Sequence, residues 1–151
     1  MAGGGPSMSR ADLLAFMRLH RLAVQSSVSP AGAAQSAVVG IAVGDSLEIV
    51  FDTLDSTRKA QNLHRNGQIS FVIGGLAPGD ERSVQYDGVA EFPSGAALEH
   101  ARELYFSTWP DGRQRLSWPG LVHVLARPTW IRFSDFNQRP PQIVEFDLSR
   151  S

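Results

Sequence analysis

A chain of 151 residues with 42% hydrophobic and 19% charged side chains has the size and make-up of one ordinary globular domain with a core of its own. Fourteen basic against fifteen acidic side chains leave a net charge of −1, without the basic excess that a general nucleic-acid binder uses to neutralise phosphates. The lack of cysteine removes disulfides, thiolate metal sites and thiol catalysis together, and no apolar run approaches the ~20 residues of a membrane helix.

Met1 to Ser7 lacks the apolar stretch of a signal peptide. The expectation is a soluble, cytoplasmic protein, with a disordered lead-in over residues 1–9 and a single domain over 10–151. Ser9 is placed to cap a short helix carrying Leu13, Leu14 and Met17. Leu22 to Val28 reads as a strand, and Ser29 to Gly32 as a turn holding both proline and glycine. A second strand runs from Gln35 to Val43, and Gly44 and Asp45 turn it into a third, Leu47 to Phe51. Thr57 to Arg65 forms a helix with Ala60 and Leu63 facing inward, stopped at Asn66 and Gly67.

Ile69 to Ile73 is a fourth strand, closed by the glycine-rich loop Gly74 to Gly79, and Arg82 to Phe92 is a fifth. Ala96 to Phe106 forms a second main helix, with Leu98, Ala101, Leu104 and Tyr105 as its apolar set. Trp109 to Gly120 reads as a long loop. Val122 to Phe133 is a sixth strand, where Pro128 marks an edge or a bulge, and Ile143 to Phe146 is a short last one. Helices appear too seldom for a doubly wound sheet. The expected fold is mainly β: a six-stranded antiparallel split barrel with peripheral α-helices.

One segment carries a charge anomaly. With Ser56 as N-cap, Arg58 and Lys59 stand in the first turn of their helix, at the positive end of its dipole, where cations are disfavoured. Asp55 offsets part of this. A bound anion would offset more, because helix N-termini with free N–H groups take anions readily and an arginine fork beside a lysine suits a phosphate. The same two cations could equally extend into water, and the residue types alone leave both readings open.

Phe51 to Ala60, with Thr53, Thr57, Arg58 and Lys59 in ungapped order, resembles the cofactor-phosphate segment of the pyridoxamine 5′-phosphate oxidase-like flavoproteins, the FMN-binding split barrels. The turn and strand Ser29 to Val39 and the strand Val84 to Glu91 are similar to that family's flanking elements, so the likeness covers most of Leu22 to Phe133. It implies FMN as cofactor, with Arg58 and Lys59 on its phosphate, Thr57 hydrogen-bonding the phosphate, and Thr53 beside the ribityl chain or ring. It also implies that Ser36, Ala37 and Val38 meet the isoalloxazine edge. Ser83 stands where the oxidases carry a glutamine, and Gln85, two residues along the same strand face, could substitute. A homodimer with the flavin at its interface is implied too.

The departures bear on the reaction. Ala37 stands where the oxidases carry an arginine, and the chain end Glu145 to Ser151 lacks their basic, histidine-containing substrate motif. The expected function is therefore an FMN-dependent oxidoreductase acting on a substrate other than vitamin B6 phosphate. The alternatives are a flavin- or haem-binding storage or sensor protein, and a deazaflavin-dependent reductase. No side chain is singled out as a catalytic acid or base.

Other residues favour plainer roles. His20, His64, His100 and His123 lack metal-ligand spacing. Gly74, Gly75 and Gly79 are not followed by the Lys-Ser/Thr of a phosphate loop, and no Gly-x-Ser-x-Gly elbow occurs. Trp130 is expected in the core or at a barrel end. Packing is favoured over ligand contact for Trp109 and Trp118, and an ion pair is expected between Arg132 and Asp135.

Overall fold

Ser9 caps the first helix by closing a capping box with Asp12, its side chain accepting from the Asp12 amide and its own amide donating to the Asp12 carboxylate. The computed structural model describes residues 7–149; most of the lead-in expected over 1–9 lies outside them. The capped helix α1 (Arg10–Leu19) turns Leu13, Phe16 and Met17 inward. Eight strands follow: β1 (Leu22–Val28), β2 (Ala34–Gly40), β3 (Ala42–Val43), β4 (Ile49–Leu54), β5 (Gln68–Gly74), β6 (Arg82–Glu91), β7 (Leu121–Asp135) and β8 (Gln142–Asp147). Between them lie α2 (Arg58–Arg65), α3 (Gly95–Thr108) and a 3-10 helix, Pro110–Ser117.

Every strand pair is antiparallel, in the order β2-β1-β5-β6-β7-β4-β3, with β8 added on β7. The two ends of this path, β2 and β3, are joined in the chain by the single residue Ile41. The sheet therefore curls into a barrel of six staves, with β2 and β3 as one broken stave and β8 as a branch. This is the mainly-β split barrel expected. The expected strand Gln35 to Val43 is divided at Ile41: its amide still donates to Arg21 O at 2.8 Å, in register with β1, and the next two residues pair with β4 instead. The third strand also begins later than expected, because Leu47 adopts a positive φ of 65° in the turn that precedes it.

Alternation sends Ile69, Phe71, Ile73, Val84, Tyr86, Ile131 and Phe133 into the barrel, where they pack with Phe51 and the inner face of α1. The Tyr86 hydroxyl is buried and donates toward Leu47 O and Ala126 O; burial raises its pKa well above the ordinary phenol value. Pro128 falls inside β7, a central strand. Its missing N–H is accommodated by a bulge, since Asp87 pairs with Trp130 and Gly88 with Pro128, leaving Thr129 extra. Glycine is required at 88, because a Cβ there would stand 2.5 Å from Arg127 O. Outside the barrel, α3 covers β4 and β7 through a second apolar cluster of Val50, Leu125, Ala101, Tyr105 and Phe106.

The segment read as a loop, Trp109 to Gly120, contains the 3-10 helix. Pro110 opens it with a fixed φ, and its charged residues masked the helical turn in the sequence. Trp109 packs as expected: its Nε1 donates to Ile41 O at 3.0 Å, and its ring lies where a Cβ on Gly40 would be 2.9 Å away. Trp118 is exposed, and Trp130 is only half-buried on the outer face. Arg132 pairs with Glu145 across the ladder at 3.8 Å instead of with Asp135. Residues three apart on a strand point to opposite faces, so Asp135 accepts from the Asn137 amide and Gln138 Nε2.

Candidate functional site

The segment after β4 folds by local hydrogen bonds into the entrance of α2. Thr57, rather than Ser56, is the N-cap, with extended φ and ψ and a side chain that accepts from the Ala60 amide at 3.3 Å. The same hydroxyl donates to Leu54 O at 2.8 Å and lies 3.1 Å from Thr53 Oγ1. Its capacity is therefore taken up within the loop. Thr53 is buried and supports Thr57. Ser56 is exposed and makes no cap.

Arg58 and Lys59 are consequently the first two residues of α2, in a turn without an acid. Their backbone N–H groups lie where the helix itself offers no acceptor. Asp55 is turned away to His64 Nε2, 2.6 Å distant, while the His64 ring stacks on Phe92 at 3.7 Å. Among the described residues, no carboxylate pairs with Arg58 or Lys59.

A cavity of about 310 Å³ opens at this helix entrance, walled by Ser36, Ala37, Thr57, Arg58 and Lys59 and floored by Gln25, Ser27 and Gln35. Five of the residues singled out in the sequence thus converge on one space. The other four do not. Thr53 lies behind Thr57, and Val38, Ser83 and Gln85 sit on the outer sheet face. Register places Val38, Val24, Val72 and Gln85 in one row across β2, β1, β5 and β6, so Val38 and Gln85 are three strand spacings, roughly 14 Å, apart.

The floor was missed. Alternation along β1 puts Ala23, Gln25 and Ser27 on the buried face and Val24, Ser26 and Val28 on the outer one. A polar pair on the inward face, with half-buried valines on the outer one, was the available signal. Ser27 and Gln35 are tied down by Asn62 of α2, whose Nδ2 donates to Ser27 Oγ at 3.1 Å and to Gln35 Oε1 at 2.9 Å. The space is lined by cations, hydroxyls and amides and holds no carboxylate or imidazole, so it can bind and orient an anionic, hydroxylated ligand without supplying an acid–base pair.

A second polar cluster lies beneath α3 and the 3-10 helix. Asp52 accepts from Arg115 Nε at 2.8 Å and from the Tyr105 hydroxyl at 3.2 Å, and Arg115 also donates to that hydroxyl. Burial, with Asp52 beside it, pushes the Tyr105 hydroxyl up to about 12. His123 pairs with Asp52 in the strand register and lies edge-on to Tyr105 and Phe106. Its burial lowers its pKa below the usual imidazole value. Among the described residues, no group of three His, Asp or Glu side chains stands close enough to hold a metal ion.

Compared with known proteins, residues 10–134 match the family model of pyridoxamine 5′-phosphate oxidase. No curated protein sequence matches the chain. Among solved structures, a haem-binding protein from Mycobacterium smegmatis superposes with a TM-score of 0.79 at 15% identity, over 95% of this chain and 59% of that one. This chain therefore spans less than two thirds of that protein's length. A conserved hypothetical protein from Mycobacterium tuberculosis gives 0.73 at 22% identity over 95% of both chains. A pyridoxamine 5′-phosphate oxidase-related, FMN-binding protein from Nostoc punctiforme gives 0.68 at 13% identity, over 91% of this chain and 87% of that one. At such identities the structural likeness is one of fold. Among the described residues, no helix is long and apolar enough to cross a membrane.

Proposed function

The chain belongs to the pyridoxamine 5′-phosphate oxidase family, and from that premise we propose that it is an FMN-dependent oxidoreductase whose flavin phosphate sits at the entrance of α2. The observation that carries this reading is the pair of unpartnered cations, Arg58 and Lys59, beside first-turn amides at the wall of a cavity. Helix dipole and side-chain charges all favour an anion there. Bound FMN would supply hydride or electron transfer, while this chain binds, orients and shields it. Ala37, in place of an arginine, supports a substrate other than vitamin B6 phosphate.

The reading includes a homodimer. Val38, Ser83 and Gln85 lie outside the cavity, on a sheet face where Val38 is 65% and Val72 41% exposed. A second copy seated on that face would cover these valines and give Ser83 and Gln85 a place beside the partner's flavin, which accounts for their distance from the cavity of their own chain. Dimerisation is tested by sedimentation at micromolar concentration.

The phosphate site is tested by FMN titration of the parent and of the double variant Arg58→Ala/Lys59→Ala. Losing two charge-assisted contacts is expected to weaken FMN at least about 100-fold, with little change in the melting temperature of the flavin-free protein. Equal affinity in the double variant would place the phosphate elsewhere. Reduction of the bound flavin by NADH or NADPH, followed by reoxidation, separates an oxidoreductase from a flavin store. A Soret band in place of flavin absorption would favour the haem-binding alternative.

A further inference from the structure

Gln25 is unlike every other polar group around the cavity. It is 1% exposed, and among the described residues neither its Oε1 nor its Nε2 has a hydrogen-bond partner. Ser27, Gln35 and Asn62 on the same inner surface satisfy one another, whereas Gln25 stands between Ala37 and Phe71 in the strand register and lines the cavity with Arg58 and Lys59. A buried amide without partners costs stability that an apolar side chain of similar volume would not. Ala37, its partner on β2, has no side chain long enough to reach across the amide. A longer side chain directly opposite, on the same sheet face, would lie over it.

The chemistry of the amide restricts what can meet it. Arg58 and Lys59 only donate, and a phosphate dianion only accepts. Pressed against Gln25, a phosphate would satisfy Nε2 but face Oε1 with charge of like sign. A hydroxyl donates and accepts, and so complements both atoms.

We propose that Gln25 is a ligand-contacting, specificity-determining residue that receives a hydroxyl-bearing chain next to the phosphate. The cavity then selects polyol or sugar phosphoesters over phosphates on plain alkyl chains. The inference rests on the phosphate site proposed above and deepens it, by assigning to Gln25 the recognition of the hydroxylated chain that the phosphate carries.

The test uses two flavins, FMN and an analogue whose N10 side chain is an ω-phosphopentyl group without hydroxyls, titrated into the parent and into Gln25→Met. The parent is expected to prefer FMN by about tenfold, the size of one lost hydrogen bond at a buried polar group. In Gln25→Met, FMN should weaken about tenfold while the analogue binds as before. The flavin-free variant should melt about 3 °C higher, because the unpaired amide is gone. A merely structural glutamine would instead lower the melting temperature and weaken both flavins alike. That result, or undiminished FMN binding by Gln25→Met, overturns the proposal. If the parent binds both flavins equally and Arg58→Ala/Lys59→Ala abolishes both, the phosphate site stands and the role of Gln25 falls. If the parent binds neither flavin, both fall.

Discussion

Two polar regions of this molecule, on opposite sides of β4, use similar residues to opposite ends. Beneath α3, Asp52, Arg115 and Tyr105 close a ring of mutual hydrogen bonds, and the Asp52 and Arg115 side chains are 12% and 23% exposed. At the entrance of α2, among the described residues, Arg58 and Lys59 have no acid, their own amides have no acceptor within the helix, and the Gln25 side chain has no hydrogen-bond partner. The first region balances its own charge and clamps the 3-10 helix to the barrel. The second leaves its donors open beside a cavity. In the first region the charged residues satisfy one another and hold structure together; in the second, open donors beside a cavity can still receive an anion.

The strongest way to break this contrast is Asp52→Ala. It strands the Arg115 guanidinium in a mostly buried setting, and a loss of about 3 kcal/mol is expected in chemical denaturation. The double variant Asp52→Ala/Arg115→Met should recover most of it, since no charge is then left unpaired. A loss below about 1 kcal/mol, typical of exposed ion pairs, would remove the cluster from the list of structural elements.

A smaller effect sharpens the comparison at Thr57, where structure and site share one residue. Thr57→Ala removes the cap and should cost about 1 kcal/mol in the flavin-free protein, with Thr57→Ser retaining most of it. Because the hydroxyl is already engaged with Leu54 O and the Ala60 amide, its deletion should weaken FMN far less than the loss of Arg58 and Lys59. A loss of affinity as large as theirs would assign Thr57 to the phosphate directly.

The smallest effect at neutral pH concerns His123. It is buried, with both ring nitrogens unpaired among the described residues, and it faces Asp52 of β4, Arg102 and Tyr105 of α3 and Arg115 of the 3-10 helix. Its folded pKa lies below the ordinary value of 6.5, so the unfolded chain binds the proton more readily. The stabilisation is complete above pH 6.5 and is lost as the pH falls from there toward the lowered value. In urea titrations between pH 7.5 and 5, His123→Phe should flatten this decline. An unchanged slope would show that His123 is not the group taking up the proton.

Much of the candidate site was legible in the sequence because it is local. Thr53 to Lys59 is one contiguous stretch, and a strand end, a cap and a helix N-terminus are set by neighbours within a few residues. The shift of the cap from Ser56 to Thr57 is a one-residue error of the same local kind. Gln25 was out of reach for a different reason. Its meaning depends on which face of β1 meets α2, and that follows from packing between elements more than thirty residues apart.

The sequence by itself determined the mainly-β barrel, the positions of α1, α2 and α3, an irregularity at Pro128 that was either an edge or a bulge, and the paired cations of α2. Periodicity, capping residues and proline chemistry act over short distances and do not wait for the fold. Only the tertiary structure decided that β2 and β3 break at Ile41 to close the barrel, that Arg132 turns to Glu145, and that Gln25 floors the cavity without a partner. Those outcomes depend on register, on which residue stands opposite which across strands and between layers. Register is chosen by the burial of the whole inner face at once.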